Sequence, residues 1–227
     1  MAKAKADIIG KVTLLNVRLS FEKLYEPNRS ENDDGTIRET WGANFLIPKE
    51  DAKEMQGVFK GKKMPILKAI KAAGDEAKAK KWGDDPDKWP KIKDDRKFFR
   101  DGDQENWDGY AGNHYASANA QLNERPSVIT NRKDGNGKWI EAEGGGKNAP
   151  YSGCYVNAVL VIWAQDNKHG KRLNAQVKAV QFFRDGEPFG GTSIDVDEEF
   201  DDDMAGTEGS IGGDFSDDEE DDDDDMI

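Results

Sequence analysis

Apolar and polar residues alternate in several stretches of this chain, the period-two signature of half-buried strands. Near the N-terminus Leu15, Val17, Leu19 and Phe21 share one face, and Asn16, Arg18 and Ser20 share the other. Trp41, Phe45 and Ile47 repeat the pattern over residues 40–47. Between the two, Glu22 to Glu39 is polar, carries Pro27 and Asp34-Gly35, and reads as a long loop. Pro48 with Glu50 and Asp51 favours a helix start, because a fixed φ suits the first turn and acids suit the positive end of the dipole. Met64 to Lys81, built on Ile66, Leu67, Ile70 and several alanines, predicts a second helix. A helical insertion therefore spans about residues 49–82. Residues 82–114 are rich in Asp, Gly, Pro and aromatics and read as loop.

Alternation returns from Tyr115 to Asn123. Ala116, Ala118, Ala120 and Leu122 point one way, and Tyr115, Ser117, Asn119 and Gln121 the other. Pro126 to Thr130 is a short strand, and Asp134-Gly-Asn-Gly137 is a hairpin turn into Trp139 and Ile140. Glu141 to Pro150 is a Gly-rich link. Tyr155 to Gln165 is the most apolar run and reads as a central strand, turned back by residues 166–170 into Arg172 to Arg184. Strands outnumber helices and no βαβ alternation appears, so the expected class is mainly β: a small antiparallel barrel with embellishments, or else a β-sandwich.

Charge divides the chain of 227 residues. From Asp195 onward there are 18 acids and no Lys or Arg, so the net −13 belongs to the tail and residues 1–194 carry +5. Such a tail, acidic and nearly free of large apolar side chains, is expected to be disordered. The organisation is then a body, 1–194, and a tail, 195–227. No apolar run is long enough for a transmembrane helix, and residues 1–7 lack the apolar stretch of a secretory signal. Cys154 is the single cysteine; with two histidines it makes a poor zinc set. The expectation is a soluble intracellular protein with no metal and no cofactor.

Enzyme signatures are missing: there is no G-x-S-x-G, H-E-x-x-H or Walker A loop. Gly144-Gly-Gly146 leads into Lys147-Asn-Ala-Pro150 rather than a helix, so it does not build a phosphate cradle. His114 and His169 read as solvated turn residues, and Cys154 as a buried structural thiol. Asp84, Asp85, Asp87, Asp94 and Asp95 could hold a metal, but their spacing is not that of a calcium loop. A magnesium-dependent nuclease built on these acids is one alternative class. A protein-interaction module acting through the tail without DNA is another.

The strand faces opposite the apolar ones point to binding. Tyr115, Ser117, Asn119 and Gln121 form one; Arg172, Asn174, Gln176, Lys178 and Phe182 form a second; Asn16 and Arg18 add a third. Cations for phosphates, rings for bases and amides for hydrogen bonds are what single-stranded nucleic acid requires. Arg96, Lys97, Phe99 and Arg100, then Trp107 and Tyr110, extend the same chemistry through the loop, with Phe98 and Phe99 expected to split between inside and outside. The DNA-binding candidates are thus Arg18, Arg96, Lys97, Phe99, Arg100, Trp107, Tyr110, Tyr115, Asn119, Arg172, Gln176, Lys178 and Phe182. The chain ends Asp221-Asp222-Asp223-Asp224-Asp225-Met226-Ile227, a charge run with an apolar tip suited to competing for the body's cations and to docking on a partner.

In their order along the chain, Val12 to Phe21, Trp107-Asp-Gly-Tyr-Ala-Gly-Asn-His-Tyr115, Arg125-Pro-Ser-Val-Ile129, Tyr151-Ser-Gly-Cys-Tyr-Val-Asn-Ala158 and Lys178-Ala-Val-Gln-Phe-Phe-Arg-Asp-Gly-Glu187 resemble the phage OB-fold single-stranded DNA-binding proteins of the T7 replication type. The resemblance spans residues 8–190. It implies an OB barrel, coating of single-stranded DNA in phage replication, recombination and repair, and weaker contact with double-stranded DNA. It further implies a tail that meets replication enzymes such as DNA polymerase, a monomer or homodimer, and a place in the cytoplasm of the infected host. Tails of that type typically end in Phe, where this chain has Met226-Ile227.

Overall fold

The alternating stretches assemble into one sheet. The computed structural model describes residues 8–31 and 35–190, all inside a unit running Met1–Gly191; a second unit, Thr192–Ile227, with Asp221 to Ile227, lies outside the described residues. In chain order the strands are β1 (Lys11–Glu31), β2 (Ile37–Pro48), β3 (Gln56–Phe59) and β4 (Lys62–Pro65). Helix α1 (Ile66–Trp82) follows, then β5 (Phe99–Asp101), β6 (Asn113–Gln121), β7 (Ser127–Lys133), β8 (Trp139–Glu141), β9 (Tyr155–Asn167) and β10 (Gly170–Arg184). The sheet order is β5-β6-β2-β1-β9-β10-β7-β8, with β3 on β1 and β4 on β3. All pairings are antiparallel except β7 on β10, which is parallel.

Two expectations fail at the start of the chain. Residues 22–31 and 37–39 are not loop, because β1 and β2 continue as a long paired ribbon, Glu31 opposite Ile37. Pro48 opens a turn and the β3–β4 hairpin rather than a helix; only the second helix forms, as α1. Its buried residues Ile66, Ala69, Ile70, Ala73, Gly74 and Ala77 fall at helical spacing along one face. Small side chains let α1 lie close: a Cβ at Gly57 would stand 2.8 Å from the Ala69 methyl.

The ladder is not closed end to end. Residues 97 and 98 join its flanks instead: Lys97 bridges Leu173 in parallel, the Phe98 N–H donates to the Leu173 carbonyl (2.8 Å), and the Ser117 N–H donates to the Phe98 carbonyl (2.8 Å). Inside, Leu14, Val17, Leu19, Phe45, Leu160 and Val177 are wholly buried, each burial contributing about 1.5–3 kcal/mol. Among the described residues no helix is long and apolar enough to cross a membrane.

Bulges decide which side chains face this core. Register slips between Leu14 and Val17, and again between Ser20 and Lys23. Asn16 and Phe21 there have φ of 53° and 46°, a region that bulky residues rarely enter. The N–H of Asn16 donates to Asn157 Oδ1 and that of Phe21 to Ser152 Oγ, which holds both kinks. Leu15 is therefore only half-buried, Ser20 turns inward, and Phe21 stands 53 % exposed. Unbroken alternation predicts the reverse for Ser20 and Phe21.

Candidate nucleic-acid interface

A groove of about 580 Å³ crosses the outer face where β6, residues 95–98, β10 and β9 meet. Strand β6 supplies Ser117, Asn119 and Gln121; β10 supplies Arg172, Asn174 and Gln176. Arg38 and Thr40 come from β2, Val161 and Trp163 from β9, and Arg96, Lys97 and Arg100 from the segment that stitches the flanks. The backbone pairing that links β6 to β10 is thus also what gathers the cations.

Of the sequence candidates, Arg96, Lys97, Arg100, Asn119, Arg172 and Gln176 line this groove. Lys178 reaches it through Glu124, whose carboxylate accepts from Gln176 Nε2 (2.7 Å) and Lys178 Nζ (3.1 Å). The Lys178 hydrogen bond, then that of Gln176, holds the Glu124 carboxyl below its ordinary range. Lys97 pairs with Asp94 at 2.6 Å and Arg96 with Asp95 at 3.5 Å. These are exposed pairs of small net worth, so an incoming phosphate can exchange them. Arg38 and Arg172 make no ion pair among the described residues. Arg100 Nε is buried with no hydrogen-bond partner, and its guanidinium sits 5.3 Å over the Tyr115 ring. Five groove cations face two groove carboxylates, Asp95 and Glu124.

Six candidates fall elsewhere. Tyr115 and Tyr110 are wholly buried rather than presented to a ligand, in a small second core with Leu46 against which Phe189 packs. The Tyr115 hydroxyl donates to Glu105; Tyr110 accepts from Asn44 Nδ2 at 2.6 Å and donates to Ser20 Oγ at 3.4 Å. Burial raises both phenol pKa values. Trp107 is exposed, but its ring stands edge-on to Phe21 (5.3 Å) and Tyr110 (5.0 Å) and does not line the groove. Arg18 is committed to the carbonyls of Gly153 (3.2 Å) and Glu187 (2.8 Å) and lies 4.0 Å from the Phe189 ring centroid.

Phe99, half-buried beside His114, lines an adjoining cavity beneath α1 rather than the groove. That cavity is the larger, about 970 Å³; it shares Asp95, Lys97, Phe98 and Arg100 with the groove, and of its other cations Lys71 and Lys78 both hold Asp75. Phe98 is buried, so the two phenylalanines do divide. Phe182 is 3 % exposed because a bulge between Val177 and Ala179 reverses the alternation along β10, which turns Phe183 outward instead.

Trp163 and Arg38 are groove residues that the sequence reading missed. Trp163 is 45 % exposed. It shares the alternating face of Val161 and Gln165, opposite buried Leu160 and Ile162, a signal hidden by the apolar character of the whole strand. Arg38 lay in the presumed loop and had no local signal. Of the aspartates weighed as metal ligands, Asp85 accepts from the Asp87 N–H and pairs with Lys88, and Asp94 and Asp95 pair with Lys97 and Arg96. Cys154 is buried, and burial pushes its thiol up to about 11. Leu122, expected with the β6 alanines, is 47 % exposed.

Fold and groove together define a β-sheet protein with a cationic, ring-bearing outer trench. Residues 10–211 match the family model described as Enterobacter phage Enc34, ssDNA-binding protein, and the chain belongs to that family. Protein p50 of Acyrthosiphon pisum secondary endosymbiont phage 1 is 39 % identical over 196 residues, 85 % of this chain and 93 % of its own. The single-stranded DNA-binding protein from bacteriophage Enc34, solved in complex with ssDNA, superposes with a TM-score of 0.59 at 26 % identity, covering 84 % of this chain and 97 % of that one. Gp2.5, a single-stranded DNA-binding protein encoded by bacteriophage T7, gives 0.42 at 14 % identity, covering 85 % and 94 %.

Proposed function

We propose that this protein binds single-stranded DNA, with little sequence preference, along the groove between β6 and β10. One observation carries the reading: Arg38, Arg96, Lys97, Arg100 and Arg172 converge with the exposed Trp163 and a row of side-chain amides, in a chain of the Enc34 family. The cations neutralise phosphates, Trp163 offers a face to a base, and Asn119, Asn174 and Gln176 give hydrogen bonds that any base can use. No step of this work requires catalysis. Titrating oligo-dT at two salt concentrations tests it: binding should be tight at low salt and weaken steeply as salt rises. Absence of binding at low salt overturns it.

The finer assignments rest on the sequence together with this reading. The order β2-β1-β9-β10, with residues 97–98 linking β10 to β6, supports an OB-type barrel. The reading extends to coating of DNA during phage replication, recombination and repair, in the cytoplasm of the infected host. Double-stranded DNA would bind more weakly, its bases being closed to Trp163. The tail, with Asp221 to Asp225, Met226 and Ile227, would compete with DNA for the body's cations and recruit replication enzymes such as DNA polymerase. Deleting residues 195–227 should then tighten DNA binding, and equal affinities of the full and shortened chains would refute the competition. Sedimentation with and without DNA decides between monomer and homodimer.

A further inference from the structure

We propose that the DNA path does not end at the groove but continues over the outer face of β10, β7 and β8, where Lys133, Trp139 and Phe183 form a second contact patch. The inference rests on the single-stranded DNA reading and deepens it.

Three observations carry it. First, the surface is continuous: Gln176 and Lys178 close the groove through Glu124, the residue from which the chain runs into β7, and β7 lies alongside β10, Ser127 to Ile129 against Ala179 to Gln181. Second, the faces align. Val128 and Thr130 are buried, which leaves Ile129 outside; beyond it, where the register to β8 slips before Lys133, residues 131–133 are all exposed, and on β10 Phe182 is buried, which leaves Phe183 outside. Asn131 Nδ2 reaches the Phe183 carbonyl at 3.5 Å, and Trp139 is the cross-strand partner of Lys133.

Third, the chemistry repeats that of the groove. Trp139 is 44 % and Phe183 45 % exposed, and Lys133 Nζ lies 4.6 Å from the Trp139 ring centroid. Arg132 and Lys138 stand on the same exposed hairpin. The hairpin's Asp134 is occupied in its own turn, accepting from the N–H groups of Asn136 and Lys138 at 2.9 Å each. Cations beside open ring faces suit a polyanion that carries stackable bases. The seven residues of β7 extend the contact surface by about 20 Å.

The test is oligonucleotide length. Oligo-dT of about 6 and about 16 nucleotides, the span of OB-fold site sizes, is titrated against the full-length protein and against the Lys133→Ala/Trp139→Ala variant. The short oligonucleotide should bind both alike. The long one should bind the variant at least about tenfold more weakly, with a log–log salt slope smaller by about 0.7 for the lost lysine. A second variant, Lys133→Gln, should show the slope change alone and keep the stacking. Unchanged thermal unfolding of both variants assures that the fold is intact. Equal affinity of wild type and double variant for the long oligonucleotide overturns the extended path, and so does an equal loss at both lengths. Failure of the wild type to bind either length would instead overturn the single-stranded DNA reading.

Discussion

The groove over β6 and β10 and the ring cluster around Tyr110 are built from the same kinds of residue and do opposite things. In the groove, Trp163 and Asn119 lie open, and Arg96 and Arg172 are only half-buried. In the cluster, Tyr110 and Tyr115 are sealed, although Tyr115 occupies the same strand face as Ser117 and Asn119. What differs is the cover. Leu46 joins the two tyrosines, Phe189 packs against them, and Trp107 and Phe21 stand at their rim. Gly109 permits this, since at φ 73° a Cβ there would fall 2.2 Å from the Phe189 ring. A polar strand face is a binding surface only as far as no loop folds over it.

The largest effect should separate the two regions by stability. Tyr115→Ala empties a buried site and should cost about 3–5 kcal/mol in denaturant unfolding, the range for large aromatic truncations. In the groove, Trp163→Ala should leave unfolding within about 0.5 kcal/mol, as exposed substitutions do. If Trp163→Ala destabilises as much as Tyr115→Ala, the contrast between surface and core is broken.

Next in size is the effect on DNA. Trp163→Ala should weaken oligo-dT binding by about 1–3 kcal/mol, the usual worth of one stacked base, measured by fluorescence anisotropy at fixed salt. Arg172→Ala sharpens the comparison differently. It removes a cation with no ion pair among the described residues, so its mark is a log–log salt slope lowered by about 0.7, with uniform weakening across base sequences. A change in base preference instead would mean that Arg172 reads bases.

Strand positions were largely legible, because period-two alternation survives in β6, in β9 and in β10 as far as Val177 without tertiary knowledge. The helix at 66–82 and the Asp134 hairpin were legible for equally local reasons. Which face a residue occupies was not, wherever a bulge shifts the count. Phe182 and Phe183 exchange places across one extra residue in β10, and Ser20 and Phe21 do so in β1. Arg18 looks like a phosphate ligand in sequence, yet its partners Gly153 and Glu187 lie more than a hundred residues away. The groove's arginines and amides could be read one by one, but their convergence depends on residues 97–98 stitching β10 to β6, which no local pattern announces.

The smallest effect concerns the acid inside the groove. Glu124 ties up Lys178 and Gln176, whereas no comparable carboxylate pairs with Arg38 or Arg172 among the described residues. Glu124→Gln should therefore strengthen oligo-dT binding by a factor of up to about five, the scale of an exposed ion pair. The pH dependence has a definite sign. With its pKa held below the ordinary glutamate range, mainly by the Lys178 hydrogen bond, the Glu124 carboxylate contributes to stability above that range, and the contribution is lost as pH falls through the lower folded-state pKa. Over the same acid range protonation frees Lys178 for phosphate. Wild-type affinity should then rise toward that of the Gln variant as pH falls, and the ratio between the two should shrink. Every other carboxylate is common to both proteins, so the ratio isolates Glu124. A ratio independent of pH would show that Glu124 does not compete with DNA for Lys178.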